Sequence, residues 1–360
     1  MTIDLVDPRF RAAERKVHTH AAWFETSFAR YFDSLEDAQE RPTSFLYARD
    51  CLTALRELAL AGGKRQRVAF FLEAARLLDG RLPTGAEQVA WSIELLQAHL
   101  LIHDDIIDDS PTRRGMPSTL YRFREATGGD VARSLGLALL TGDIASSLAF
   151  EVLATAPLER PDLVLAQVRA HILTCLGQAA DLERDDGARD RAALDEVSDF
   201  KATRSSAFAP IELGLLLAGA DRADFGATVL EYGRHFGISG QMRDDYISLF
   251  GDPAITGKSN EADIRDGRLT YVLSLAVNRA DAVQQAALQA ALGNPSATSE
   301  DVDRVRQVAL DTGAAETIRA QSVSHAERAA AEAATWRGRW HDDAVEFFEV
   351  VPVWGALRAV

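Results

Sequence analysis

Leu100-Leu101-Ile102-His103-Asp104-Asp105-Ile106-Ile107-Asp108-Asp109 is the stretch on which the reading of this chain turns. It ends a long apolar run whose hydrophobic residues recur at three and four, the period of an α-helix. Asp104 and Asp108 are four apart and share a helical face, with Asp105 on the flank. Four carboxylates within six residues repel one another, and they sit near a helix C-terminus, where the dipole disfavours negative charge. A solvated acidic cluster is the plain alternative, since short motifs recur by chance. The apolar run and the costly placement favour a cation instead. Mg2+ suits such a site, because it takes carboxylate oxygens and bridges to phosphate. Counting back along the helix puts Gln97, Leu100 and Leu101 on the same side as the acids. The picture is a metal site at the mouth of an apolar shaft, shaped for a hydrocarbon tail that carries a diphosphate.

Outward from this stretch the helical period persists and strand-like alternation is hard to find. Trp23, Phe24, Phe28 and Phe32 make one amphipathic stripe, and Leu52, Leu55 and Leu58 make another. Gly62-Gly63 breaks the second of these helices. Thr84-Gly85-Ala86-Glu87 reads as a capping box for the helix that runs to about Asp109. Further helices fit residues 130–155, 161–185, 194–219, 221–250 and 264–278. The breaks at residues 185–190 and 251–262 are short, so the economical expectation is one all-α domain over residues 1–360, a helical bundle around an apolar cavity. The tail from Trp336, with Trp340, Phe347, Phe348 and Trp354, fits either a packed helix or a lid.

A second paired acid, Asp244-Asp245, ends another apolar helix in Gln241-Met242-Arg243-Asp244-Asp245-Tyr246-Ile247-Ser248. Ser248 occupies the position where a third acid would complete the pattern, which leaves Asp244 as the best single ligand and Asp245 behind it. Basic elements accompany both motifs. In Gly62-Gly63-Lys64-Arg65-Gln66-Arg67 the glycines let backbone approach a ligand, and a helix start favours an anion. Lys64 and Arg67 are three apart, a point charge and a bidentate fork for phosphate oxygens. Arg113-Arg114-Gly115 follows the first acids, and Lys201, Lys258 and Arg268 come later. Each of these alone is a surface charge; together with the acids they describe two diphosphate sites. His103, beside Asp104, reads as a supporting histidine rather than a catalytic base.

The chain has 360 residues and a net charge of −15, which argues against general nucleic-acid binding. Cys51 and Cys175 form no metal-type spacing and read as reduced thiols. No secretory signal is visible, and the most apolar run, residues 211–220, is too short to span a bilayer and contains Glu212. A cytoplasmic protein without a membrane span is expected.

In combination and order these motifs resemble the trans-type isoprenyl (polyprenyl) diphosphate synthases, which include farnesyl and geranylgeranyl diphosphate synthases. The resemblance runs from Gly62 to about Leu273. It implies that Asp104, Asp105 and Asp108 bind magnesium, with Asp104 and Asp108 bridging ions, and that Asp244 and Asp245 hold a further ion, three in all with the allylic diphosphate. It implies that Gly63, Lys64, Arg67, Gln97 and Arg114 hold isopentenyl diphosphate, and that Arg113, Lys201, Gln241, Asp244 and Lys258 serve the allylic diphosphate. Gly177-Gln178-Ala179-Ala180-Asp181 looks like the family's GQxxD and places Gln178 and Asp181 near the reacting tail. The implied reaction is ionisation, condensation and elimination, in a homodimer. His99 and Leu100 hold the positions that close the shaft, and neither is one of a bulky aromatic pair, which favours the twenty-carbon geranylgeranyl product, then farnesyl, then longer chains. Ser248, Ala202, Val68 and Gly240 depart from the family's usual residues. A class I terpene cyclase would not need Gly63, Lys64, Arg67 or Arg114, and a non-catalytic partner subunit would be expected to lose the first motif or the basic loop.

Overall fold

The computed structural model describes residues 7–38, 44–158, 160–183, 190–251 and 260–357. Lys258 lies outside the described residues. In chain order the helices are α1 Pro8–Ala38, α2 Leu46–Leu60, α3 Gln66–Ala75, α4 Ala86–Ile107, α5 Thr119–Ala126, α6 Val131–Thr155, α7 Pro161–Leu182 and α8 Arg191–Ser198. A π-helical segment, Asp199–Phe208, leads into α9 Ala209–Ala218 and α10 Arg222–Phe250. There follow α11 Ala262–Arg265, α12 Tyr271–Arg279, α13 Ala282–Ala291, α14 Ser299–Asp311, α15 Ala314–Ala334 and α16 Asp342–Leu357. The expected all-α class holds, and among the described residues the one sheet is a hairpin of β1 Thr112–Arg113 with β2 Met116–Pro117.

Several local expectations are corrected. The capping box at Thr84 does not form: Gly85 takes the N-cap of α4 at φ 89°, and no side chain caps that end. A Cβ there would also lie 2.3 Å from Leu158 Cδ2, so that side chain would have to turn away. α4 stops at Ile107, with Asp108 as its C-cap and Asp109 at φ 47°. The expected helix over residues 194–219 contains the ten-residue π-helical segment. The expected helix over residues 264–278 is two, because Gly267 turns at φ 71° and Thr270 caps α12 by accepting from Leu273 N.

The chain divides into two compact units, the first comprising Glu14–Arg169 with Ala209–Asp224, the second Met1–Ala13, Ala170–Phe208 and Phe225–Val360. In the first unit Phe24, Phe28 and Phe32 of α1 are buried as their spacing requires, and Trp91 Nε1 donates to Ser27 Oγ at 2.8 Å. α3 packs on α9 closely enough that a Cβ at Gly214 would lie 2.5 Å from Phe71 O. α4 lies along α6. In the second unit Ile238, Met242, Leu249, Val272, Leu273 and Ile318 belong to a continuous core beneath the second acid pair. The C-terminal tail is a packed helix: Phe348 is fully buried and meets Tyr232 edge-on at 5.6 Å, with Trp336 5.5 Å away.

α6 and α7 are long and apolar enough to cross a membrane by length and composition, with mean hydropathy of 1.6 and 1.2 over their best windows. Both helices are longer than the apolar run at residues 211–220. A core helix passes the same test, and α6 packs against α2, α4 and α5.

Candidate active site in two halves

The first half-site is built at the C-terminal end of α4. Gln97, Leu100, Leu101, Asp104 and Asp108 are half-buried along one stripe, as helix counting requires. Asp105 is buried instead, and its Oδ1 accepts hydrogen bonds from Arg113, with Nε at 2.9 Å and Nη2 closer still. Arg113 Nη2 also lies 3.4 Å from Asp104 Oδ2. Burial pushes the Asp105 carboxyl up from its ordinary range, Arg113 opposes this, and the charges of Asp104 and Asp108 add to the rise. Burial works against the Arg113 charge as well, but Asp105 outweighs it and holds that guanidinium above its usual range. Asp105 Oδ2 is buried and accepts no hydrogen bond among the described residues. A buried carboxylate oxygen without a donor, beside two half-exposed carboxylates, fits a hard divalent cation.

The arginines follow from the hairpin. Arg114 and Gly115 take φ 54° and 76°, the two positive values of a type I′ turn, and the register pairs Arg113 with Met116. That turn sends Arg113 to the acids and Arg114 to the glycine loop. Arg114 Nη1 donates to Leu58 O at 3.1 Å, and a Cβ on Gly63 would lie 3.2 Å from Arg114 Nη2. Gly63, at φ 133°, is thus the residue that admits the guanidinium. Among the described residues the non-glycine positions with positive φ are Arg65, Asp109 and Arg114, and all three belong to this half-site.

Lys64 precedes α3 and is exposed, so it and Arg67 do not share a helical face; Arg67 alone stands on the helix. Arg65, which sequence reasoning passed over, is buried between Glu94 Oε2 at 2.5 Å and Glu25 Oε1 at 2.7 Å and donates to Ala59 O at 2.6 Å. It fastens the loop to α1, α2 and α4. Burial pushes the Arg67 guanidinium down from its ordinary range against the pull of Glu94. Burial also lowers Arg114, and Arg65 and Arg67 add to this by repulsion. Guanidiniums whose charge is disfavoured by burial and by one another favour an anion among them.

The second half-site gathers α7, the π-helical segment, α10 and α12. Gly177 lets α7 touch the π-helical backbone, since a Cβ there would lie 2.3 Å from Lys201 N. One turn later Asp181 Oδ2 accepts from Lys201 Nζ at 2.6 Å, so the GQxxD stretch and Lys201 meet. π-Helical turns are rare and concentrate at functional positions. Gln178 is half-buried on the same helix. Asp181, Lys201, Gln241, Asp245, Ser198 and Tyr271 are among the residues lining a small pocket.

The two acids of this half divide their work. Asp245 is buried, and both its oxygens are engaged: Gln241 Nε2 donates to one at 2.7 Å, and Tyr271 N to the other at 2.8 Å. These two bonds tie α10 to the start of α12 and set Asp245 behind Asp244. Asp244 keeps 74% of its side chain exposed, with Arg243 at 3.6 Å. Ser248, in the place of the missing acid, donates to Asp263 Oδ2 of α11 at 2.5 Å. Tyr271 carries the support further, its hydroxyl donating to Asp195 Oδ1 at 2.8 Å and meeting Ser198 Oγ at 2.9 Å. Asp195, Ser198, Asp263 and Tyr271 had no signal in the sequence beyond polarity.

Residues 49–309 match the polyprenyl synthetase family. The chain belongs to that family. It is 30% identical to a geranylgeranyl diphosphate synthase of Sulfolobus acidocaldarius over 265 residues, 71% of this chain and 76% of that protein. It is 32% identical to the farnesyl diphosphate synthase of Escherichia coli over 233 residues, 62% of this chain and 74% of that protein. The structure of a Corynebacterium glutamicum geranylgeranyl pyrophosphate synthase, complexed with isoprenyl diphosphate and magnesium, superposes with a TM-score of 0.85 at 26% identity, covering 94% of this chain and 98% of that one. This polyprenyl synthetase is an enzyme, a prenyltransferase that joins isopentenyl diphosphate to an allylic diphosphate.

Proposed function

We propose that the enzyme makes geranylgeranyl diphosphate, in the cytoplasm, as a homodimer whose chain works as one catalytic domain. The observation that carries the two-substrate reading is the packing of Arg114 over Gly63 beside Arg67, a basic pocket separate from the acids of α4. A cyclase acting on one diphosphate has no use for it. Gly63, Lys64, Arg67, Gln97 and Arg114 hold isopentenyl diphosphate. Arg113, Lys201, Gln241 and Lys258 serve the allylic diphosphate or keep its neighbours in place.

Asp104, Asp105, Asp108 and Asp244 are the residues that would hold Mg2+, three ions with the allylic diphosphate. When bound, Mg2+ supplies neutralisation of the leaving diphosphate's charge. Arg113 and Lys201 add fixed positive charge where the diphosphate negative charge grows as the carbon–oxygen bond breaks. Arg114 and Arg67 anchor the isopentenyl diphosphate so that its double bond lies alongside the allylic carbon, and positioning supplies part of the rate. The proton lost after condensation goes to the departed diphosphate, and no side-chain base is required.

Leu100 and His99 hold the positions that close the shaft by resemblance, and neither is one of a bulky aromatic pair, which favours a twenty-carbon product. Val131, Leu135, Leu139 and Leu140 leave an apolar face exposed on α6, which supports a second copy packing there.

Incubation with Mg2+, labelled isopentenyl diphosphate and each allylic primer tests the reading. Chain extension to twenty carbons is expected. Diphosphate release without extension would mean a cyclase, and no turnover with any primer a partner subunit. His99→Ala with Leu100→Ala is expected to lengthen the product, and an unchanged length removes the floor assignment.

A further inference from the structure

We propose that His99, His103 and Asp143 form a separate metal site, which takes a late first-row divalent ion such as Zn2+ and clips α4 to α6. One nitrogen from each histidine and one carboxylate oxygen of Asp143 all lie within 4.8 Å of one another. The histidines are four apart on α4, so their rings share a face, with centroids 4.2 Å apart. Asp143 reaches the same point from α6, its Oδ1 3.7 Å from His103 Nε2, whose long 3.4 Å contact with Leu139 O a bound ion would replace. All three residues belong to the first unit.

Two features make this more than a chance grouping. His99 is buried, and its Nδ1 donates to Gly142 O at 2.9 Å, the kind of carbonyl contact that holds a metal-ligating imidazole in orientation. Gly142 also makes room for the other ring, because a Cβ there would lie 2.4 Å from both Cδ2 and Nε2 of His103. Gly142 thus presents a carbonyl to His99 and leaves a seat for the His103 ring as placed. Donors around a tetrahedral zinc stand about 3.3 Å apart at bond lengths of about 2.0 Å. Asp143 has the freedom to close the remaining distance, with 63% of its side chain exposed.

The donor set selects the ion. Two imidazoles and one carboxylate suit Zn2+, Co2+ or Ni2+, whereas Mg2+ takes oxygen almost alone. The site and the acids of α4 therefore bind different ions, although His103 and Asp104 are neighbours in sequence. Three protein ligands leave a fourth position to water. Occupancy fastens the last turns of α4, which end in the first acid motif, to α6.

The test uses the full chain, stripped with chelator and returned to saturating Mg2+ so that the diphosphate-binding acids hold that ion. Co2+ is then titrated and its visible absorption followed. The expected result is one equivalent bound with the intense band of a low-coordinate nitrogen-containing site, displaced by Zn2+ and not by further Mg2+. Asp143→Ala, a change to an exposed side chain, should weaken binding at least about tenfold, His103→Gln should abolish the band, and Asp104→Asn should leave it. Zn2+ should raise the melting temperature of the parent chain and not of Asp143→Ala. No intense band, a band unchanged in Asp143→Ala, or a band lost in Asp104→Asn would overturn the assignment. Asp143→Ala decides the matter alone if His103→Gln does not fold.

Discussion

α4 and α10 both end in paired aspartates, and in each pair the second aspartate is the buried one. Asp105 is buried with one oxygen on Arg113 and, among the described residues, no donor on the other. Asp245 is buried with both oxygens held by Gln241 and the backbone of Tyr271. The first pair thus keeps a buried oxygen that a cation would satisfy, while in the second the buried carboxylate also braces the scaffold and Asp244 is the exposed one. The same two letters in sequence describe a buried carboxylate with an unmatched oxygen, among the described residues, in one place and one with a donor on each oxygen in the other. What separates them is the supply of hydrogen-bond donors around the buried member.

The comparison predicts unequal damage. Asp104→Asn is expected to lower kcat about a thousandfold, the scale seen when charge stabilisation of a transition state is removed, with little change in melting temperature. Asp244→Asn should act the same way, because nothing behind it can stand in. Asp245→Ala should behave differently: it leaves buried donors unmatched, costs about 1–3 kcal/mol of stability, and shows first in melting. If Asp245→Ala melts like the parent and loses only activity, the bracing role of its carboxylate fails. Arg114→Ala comes next in size. It should raise KM for isopentenyl diphosphate about a hundredfold while sparing the allylic primer, since a charged hydrogen-bonding contact is worth about 1.5–3 kcal/mol. Equal losses for both substrates would refute the separate basic pocket.

How much of this was legible beforehand follows the physics of each feature. The acid runs, the glycine loop and the helical period are local, and the chain states them openly. GQxxD and Lys201 were each visible, but their ion pair depends on Gly177 touching a π-helical turn. The ten residues of that segment make only about two turns, too few for a change of helical period to stand out, so it read as ordinary helix. Arg65 drew no assignment from the sequence, although it lies between Lys64 and Arg67. Its partners Glu25 and Glu94 lie 40 and 29 residues away, and only the fold reveals that its charge is already matched. The hairpin at Arg113 was hidden for the opposite reason, because strands of two residues are too short to show alternation.

Ser248 sharpens the contrast further. It donates to Asp263, so a carboxylate from α11 already stands beside the position where the motif lacks its last acid. Ser248→Asp would replace that donor with a like charge and should lower the melting temperature in chelator by a few degrees. Added Mg2+ should then raise the variant's melting temperature more than the parent's, because two adjacent carboxylates gain a shared cation. An equal Mg2+ response in both would show that position 248 lies apart from the metal.

The smallest effect concerns what stands behind the second half-site alone. His235 and His325 face each other with Nδ1 atoms 3.0 Å apart, and Arg191 Nη2 lies 3.3 Å from His325 Nε2. Arg191 also pairs with Asp195 at 2.6 Å, the acid that accepts from Tyr271, whose backbone holds Asp245. Burial, with the charges of His235 and Arg191 adding to it, pushes His325 down to about 4 from 6.5. The unfolded chain therefore takes up the proton first as pH falls, and acid favours unfolding between those two values. The contribution is fully present above 6.5, declines through the interval and is gone below about 4. Because the ring is half exposed, solvent screening leaves about 1 kcal/mol of the nominal effect, or about 2 °C in a chain of this size. His325→Asn should flatten the melting temperature by that amount between pH 7 and 4.5, while kcat for variants of the first half-site keeps its own pH profile. If His325→Asn changes neither the slope nor the hold on Asp245, the second half-site stands independently of α15, and its difference from the first lies only in the two carboxylates.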